Sequence, residues 1–234
     1  MSTIKEIINH AREENRTFLL EPESKTLMKN IGISTTEFQV ATSAEEAKKV
    51  AKKIGFPVVM KIVSPQIIHK TDAGGVRLNI KDEKTAEAAY EEIIKNCLKY
   101  KKDAEIRGIL IEKMVKPSTE IIVGVTRDPT FGPAIMFGLG GIFVELLKDV
   151  SFRIAPIEEK DAKEMISEIK ALPMLQGFRG GPNVDLKLIV DVLMKISQLS
   201  IDYMDDILEI DLNPIFAYDD KLLTVDARVI LTEK

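Results

Sequence analysis

Residues 61–76 read KIVSPQIIHKTDAGGV. An apolar run enters this stretch through Val58, Val59 and Met60, breaks at Pro65 and returns through Gly74-Gly75 into Val76, so the pattern is strand, loop, strand. Upstream, Ser43-Ala-Glu-Glu46 forms a capping box that opens a helix to about Gly55, where the glycine stops it before a strand from Pro57 to Ile62. Downstream, Val76 to Ile80 reads as a second strand, and Asp82 caps a long helix with Ala86, Ala89, Ile93 and Cys97 at helical spacing. Gly108 to Val115 and Thr119 to Thr126 read as two strands joined at Lys116-Pro117-Ser118, followed by a turn at Arg127-Asp-Pro129 and a strand from Pro133 to Phe137. Glu158 to Leu172 and Val184 to Met204 carry helical apolar stripes. Ile207 to Leu212 and a hairpin of Ile215 to Tyr218 and Leu222 to Val225 close the chain. Helix and strand signals alternate throughout, so the expected fold class is α+β or α/β.

His69 is one of two histidines in the chain. A solvent-accessible imidazole is partly unprotonated near neutral pH, and its ring nitrogen can attack phosphorus. Lys61, Lys70 and Arg77 supply positive charge nearby in sequence, and Gly74 and Gly75 would let backbone N–H groups approach phosphate oxygens. On spacing alone the same loop also fits an ordinary strand connection with a surface histidine.

With 234 residues, 45% of them hydrophobic, the chain is long enough for one large core or two lobes. Its 33 basic and 37 acidic residues give a net charge of −4, which provides no general field for nucleic acid or an anionic membrane. Cys97 is the single cysteine, which excludes an intrachain disulfide and favours a reducing compartment. No apolar run approaches a membrane span, and the N-terminal MSTIKEIINHAREENR is a charged helical pattern, so a cytoplasmic location is expected.

Two further patterns bear on ligands. In LEIDLNPI, residues 208–215, alternation places Glu209, Asp211 and Asn213 on one strand face, and a hairpin can return Asp226 beside Asn213. Oxygen donors in this number suit Mg²⁺, which takes one or two protein oxygens and completes its shell with water and phosphate, although solvated carboxylates on a wet face give the same pattern. The stretch Phe137-Gly-Leu-Gly-Gly-Ile142 lacks dinucleotide-loop spacing, and no P-loop motif occurs. Its glycines fit either a tight turn or close backbone approach to a ligand.

Taken in order, PVVMK, SPQIIHKTDAGGV, ILIEKMVKPSTEIIVG, FGLGGIFVELLKDVSFRIAP, LEIDLNPI and VDA resemble the ATP-grasp subunit of ADP-forming acetyl-CoA (acyl-CoA) synthetases across nearly the whole chain. The histidine-bearing loop separates this group from succinyl-CoA synthetase β chains, whose corresponding loop lacks the histidine. The resemblance implies an ATP-grasp fold of two α+β lobes with nucleotide between them, divided as a helical segment 1–20, a lobe 21–110 carrying the His69 loop, and a lobe 111–234 with the Mg²⁺-binding strands. It implies that Lys61 contacts nucleotide phosphate, that Glu112 with the backbone of Lys113, Met114 and Val115 forms the adenine hinge, and that Glu120 accepts from ribose hydroxyls. Asn213 and Asp226 match the Mg²⁺ ligands, and Asp211 matches an acid that holds the histidine. Arg153 and Arg179 are further candidates for phosphate contacts.

The reaction so implied is acyl-CoA + ADP + phosphate to carboxylic acid + CoA + ATP, with His69 as a phosphoryl carrier and ADP or ATP as substrate. A CoA-binding α subunit is required, in an α2β2 heterotetramer by resemblance. An ATP-grasp carboxylate-amine ligase would use the same nucleotide residues without His69, and a nucleotide-sensing module would bind ADP or ATP without turnover.

Overall fold

The computed structural model describes residues 2–233 except Ile142, Phe143 and Glu145. The chain packs as two compact units: a middle unit of residues 36–116, and a flanking unit of residues 1–35 together with 117–234. The packing boundaries therefore differ from the sequence divisions at 20 and 110. Residues 21–35 group with the C-terminal segment, and residues 111–116 with the middle one.

The middle unit contains β1 (Phe38–Ala41), α1 (Ala44–Ile54), β2 (Val58–Val63), β3 (Val76–Ile80), α2 (Glu83–Tyr100) and β4 (Gly108–Lys113). Its four strands are antiparallel in the order β1-β4-β2-β3. Ser43 caps α1 by accepting from Glu46 N–H, while the Glu46 carboxylate turns to the N–H and hydroxyl of Thr42 instead of closing the box on Ser43. Gly55 ends α1 at φ 86°, the left-handed region that a glycine enters without Cβ strain. Asp82 caps α2 as expected, and Ala86, Ala89, Ile93 and Cys97 are its buried residues. These join Val58, Met60, Ile62, Ile109 and Ile111 in one core, so the helices cover one face of the sheet.

The flanking unit begins with two N-terminal helices, α3 (Ile4–Glu13) and α4 (Glu21–Asn30). It continues with β5 (Thr119–Asp128), β6 (Gly132–Leu139), β7 (Val150–Ile154), α5 (Glu159–Glu168), α6 (Leu186–Asp202), β8 (Ile207–Ala217), β9 (Leu222–Thr224) and β10 (Arg228–Leu231). The strands pair in the order β10-β8-β5-β6-β7, with β9 on the far end of β8, and every pairing is antiparallel. Ile121, Val123, Ile135, Phe137, Ile210 and Leu212 face a core filled from the helices by Met165, Ile189, Leu193 and Ile196.

The strands on either side of Lys116-Pro117-Ser118 are not a hairpin, because β4 pairs with β1 and β2 while β5 pairs with β6 and β8. The turn at Arg127-Asp-Pro129 does join an antiparallel pair, β5 and β6. Among the described residues no helix is long and apolar enough to cross a membrane.

Candidate functional site

In the middle unit, β2 and β4 align Val59 with Glu112 and Lys61 with Leu110. Lys61 and Glu112 are thus diagonal neighbours on the sheet face opposite the helices. The Lys61 Nζ lies 2.7 Å from Glu112 Oε1, and the Thr36 hydroxyl donates to Glu112 Oε2 at 2.6 Å. Lys61 is 8% exposed and Glu112 1%, so this is a desolvated pair in which losing one partner strands the other's charge. The Glu112 side chain thus meets both Lys61 and Thr36.

The backbone beyond β4 narrows the expected hinge. Lys113 N–H donates to Glu37 O at 2.9 Å and Met114 N–H to Pro57 O at 3.1 Å. The Lys113 ammonium donates to Gly55 O and Phe56 O, placing a cation at the C-terminus of α1. Among the described residues none accepts from Val115 N–H.

The loop from Ser64 to Gly75 is anchored at Ile67 and Ala73, which are 2% and 4% exposed and belong to the core. Ile68 and His69 between them are exposed. The His69 imidazole makes no hydrogen bond or ion pair with any described residue. The phosphate cradle expected of the glycines is not formed. Gly75 N–H donates to Lys70 O at 2.7 Å and Gly74 N–H to Thr71 O at 3.0 Å, so both amides fold the loop onto itself. Gly75 is there for space, since a Cβ would lie 2.6 Å from Ile62 Cγ2, and Gly74 adopts φ +63°. The expected basic surround of His69 is also depleted, because Arg77 pairs with Glu92 on α2 and Lys61 with Glu112.

In the flanking unit, β8 keeps the expected alternation: Ile210, Leu212 and Ile215 are buried, Asp211 and Asn213 exposed. Asp211 stands opposite Gly124 of β5 and Arg228 of β10. A bulge sets Asn213 and Pro214 against the single residue Ile122, and Val225 N–H bonds to Pro214 O at 3.0 Å, so the β8–β9 hairpin returns Asp226 toward Asn213. Although Asp211 reaches solvent, the protein packed around its carboxyl raises its pKa; Arg228 opposes this, and the carboxylates of Asp226 and Glu209 add to it. Among the described residues no three His, Cys, Asp or Glu side chains converge as a metal site. Asn213 and Asp226 would supply two hard oxygens near the partly buried Asp211 carboxyl. Such a donor pair fits Mg²⁺ completing its shell with water and phosphate.

Glu120 of β5 lies on the same sheet face as Asp211, since residues 120, 122 and 124 share that face and Gly124 opposes Asp211. Gly140 N–H donates to Glu120 O at 2.8 Å, and a Cβ on Gly140 would stand 2.9 Å from Glu120 Cβ. The glycine-rich stretch therefore passes flush against Glu120; its last residue, Ile142, lies outside the described residues. Arg153 of β7 opposes Ile135, a core residue, so it points to the helix-bearing face, opposite Glu120. There it is held by Glu168 of α5 at 2.5 and 3.1 Å, with Glu164 at 3.5 Å, and these carboxylates raise its pKa further. Arg153 thus lies on the face away from Glu120, engaged with α5. Arg179 is exposed, with its guanidinium 5.3 Å from the Phe178 ring centroid.

Thr36 and Gly140 were not singled out from the sequence. Thr36 meets a carboxylate 76 positions away, and no local pattern marks that. Gly140 sat within a recognised glycine cluster, where the spacing did not say which glycine is crowded.

A family model described as an ATP-grasp domain matches residues 10–231. The chain is 55% identical over 227 residues to the acetate–CoA ligase [ADP-forming] I subunit beta of Pyrococcus furiosus, covering 97% of each chain. Among solved structures it is similar to the dinucleotide forming acetyl-coenzyme A synthetase 1 of Ca. Korarchaeum cryptofilum in complex with coenzyme A, Ca-AMPCP and HgCl+. That match has a TM-score of 0.94 and 46% identity, and covers 98% of this chain and 100% of that one. The same synthetase with coenzyme A and Mg-AMPPCP, its phosphohistidine segment pointing towards the nucleotide binding site, matches at TM-score 0.86 and 43% identity, with 98% and 100% coverage. The chain belongs to the ATP-grasp family, among the β subunits of ADP-forming acetate–CoA ligases.

Proposed function

We propose that this chain, with a CoA-binding α subunit, converts acyl-CoA, ADP and phosphate into carboxylic acid, CoA and ATP, and that His69 carries the phosphoryl group to ADP. The observation that carries this reading is the His69 imidazole itself, exposed on a loop anchored at Ile67 and Ala73 and bonded to none of the described residues. A ring nitrogen of His69 attacks phosphorus on a donor held by the partner subunit, forming a P–N bond as the donor bond breaks. A terminal oxygen of ADP then attacks the same phosphorus, and the P–N electron pair returns to the imidazole. The similar synthetase solved with its phosphohistidine segment pointing towards the nucleotide binding site supports this route.

The remaining side chains take roles that suit their chemistry. Lys61 meets nucleotide phosphate with a point charge, Val115 N–H donates to the base edge, and Glu120 accepts from ribose hydroxyls. Asn213 and Asp226 hold Mg²⁺, which neutralises charge on the phosphates when bound. Asp211 supplies a carboxylate to the phosphoryl-transfer chemistry, and a lone buried Cys97 accords with a cytoplasmic setting.

The test is ATP formation from acetyl-CoA, ADP and phosphate by the chain assembled with a CoA-binding partner. Turnover that is lost in His69→Asn supports the proposal. Full turnover in His69→Asn, amide formation by the chain alone, or nucleotide binding without turnover would each overturn it.

A further inference from the structure

Thr36 precedes β1 and is 1% exposed, although it carries a hydroxyl. That hydroxyl donates to Glu112 Oε2 at 2.6 Å, while the other Glu112 oxygen takes Lys61 Nζ at 2.7 Å. A glutamate side chain alone has three rotatable bonds, and its terminal torsion is broad, so one contact does not fix the plane of its carboxylate. The Thr36 hydrogen bond on Oε2, opposite the Lys61 ion pair on Oε1, restrains that plane. Lys61 is in turn a flexible cation on a buried sheet face, and the Glu112 carboxylate 2.7 Å away contributes to its placement.

We infer that Thr36 is a positioning residue which, through Glu112, sets Lys61 where nucleoside diphosphate or triphosphate is received. The inference rests on the reading of Lys61 as a phosphate ligand. Thr36→Val keeps the branched shape but removes the hydroxyl that donates to Glu112 Oε2 in a dry site. The carboxylate then loses one of the contacts that set its plane, and the placement of Lys61 loosens with it.

The experiment is steady-state kinetics of Thr36→Val and Thr36→Ser in the assembled complex, varying ADP and acetyl-CoA separately. Loss of a hydrogen bond to a charged group predicts a KM for ADP raised about tenfold in Thr36→Val. The KM for acetyl-CoA should stay unchanged, kcat should stay nearly so, and Thr36→Ser should recover most of the loss. A wild-type KM for ADP in Thr36→Val overturns the inference, as does a serine variant no better than valine. In a Glu112→Gln background Thr36→Val should change little more, and fully additive effects would show that Thr36 does not act through Glu112. Thr36→Ala is read in the same way if the valine variant does not fold.

Lys61→Met separates this inference from the reading beneath it. If Lys61→Met loses ADP affinity while Thr36→Val does not, only the positioning role fails. If Lys61→Met binds ADP as wild type does, the phosphate role of Lys61 fails as well.

Discussion

Asp211 sits where a carboxylate is useful and uncomfortable. Its raised pKa means that the folded chain binds a proton more tightly there than the unfolded chain does. At low pH both states are protonated and the site is neutral for stability. As pH rises past the ordinary carboxylate range the folded state alone pays for ionisation, so Asp211 destabilises the nucleotide-free protein at neutral pH. Asp211→Asn should accordingly melt at a higher temperature than wild type at pH 7, with the difference fading below about pH 4. The same variant should lose turnover, and thermal melts across pH beside the ATP-forming assay check both halves. At this scale the strand alternation made Asp211, Asn213 and Asp226 legible, because a period of two assigns side chains to faces without knowing the neighbours. The same alternation could not show that Glu112 would turn to Lys61 and Thr36, since cross-strand diagonals depend on register.

Elements were legible where local chemistry marks them. Gly55 at the end of α1, Asp82 before α2, and the β5–β6 turn all carry such signals. The link at Lys116-Pro117-Ser118 does not tell from sequence whether its two strands pair, because two alternating runs with a proline between them look the same whether the strands pair or part company. Strands β1, β7 and β10 were not resolved as elements from the sequence, being four or five residues long with little alternation to count. At the end of β4 the Lys113 and Met114 amides are already bonded, so the N–H donor left for the proposed base contact is that of Val115. Val115→Pro removes that donor and should lower ADP affinity at least several-fold while leaving CoA binding to the complex unchanged, as calorimetry would show. Unchanged ADP affinity would move base recognition elsewhere. In the His69 loop, Gly75→Ala places a Cβ 2.6 Å from Ile62 Cγ2. Overpacking of this kind should cost about 1–3 kcal/mol, measurable by chemical denaturation.

Two cores, one in each compact unit, organise the whole molecule. The N-terminal thirty-five residues pack with the C-terminal half, an arrangement that local patterns do not encode because it depends on contacts such as Leu19 N–H to Val229 O. The fold class, by contrast, followed from alternating helix and strand signals and from motifs spread along the chain. Peptide-level mass spectrometry of the assembled complex reads directly whether His69, on the middle unit, carries the phosphoryl group. With acetyl-CoA, phosphate and Mg²⁺ supplied and ADP withheld, the account predicts an acid-labile phosphoryl group on His69 that ADP discharges into ATP. Absence of that group during active turnover, with the phosphoryl passing to ADP at the same rate in His69→Asn, would contradict it.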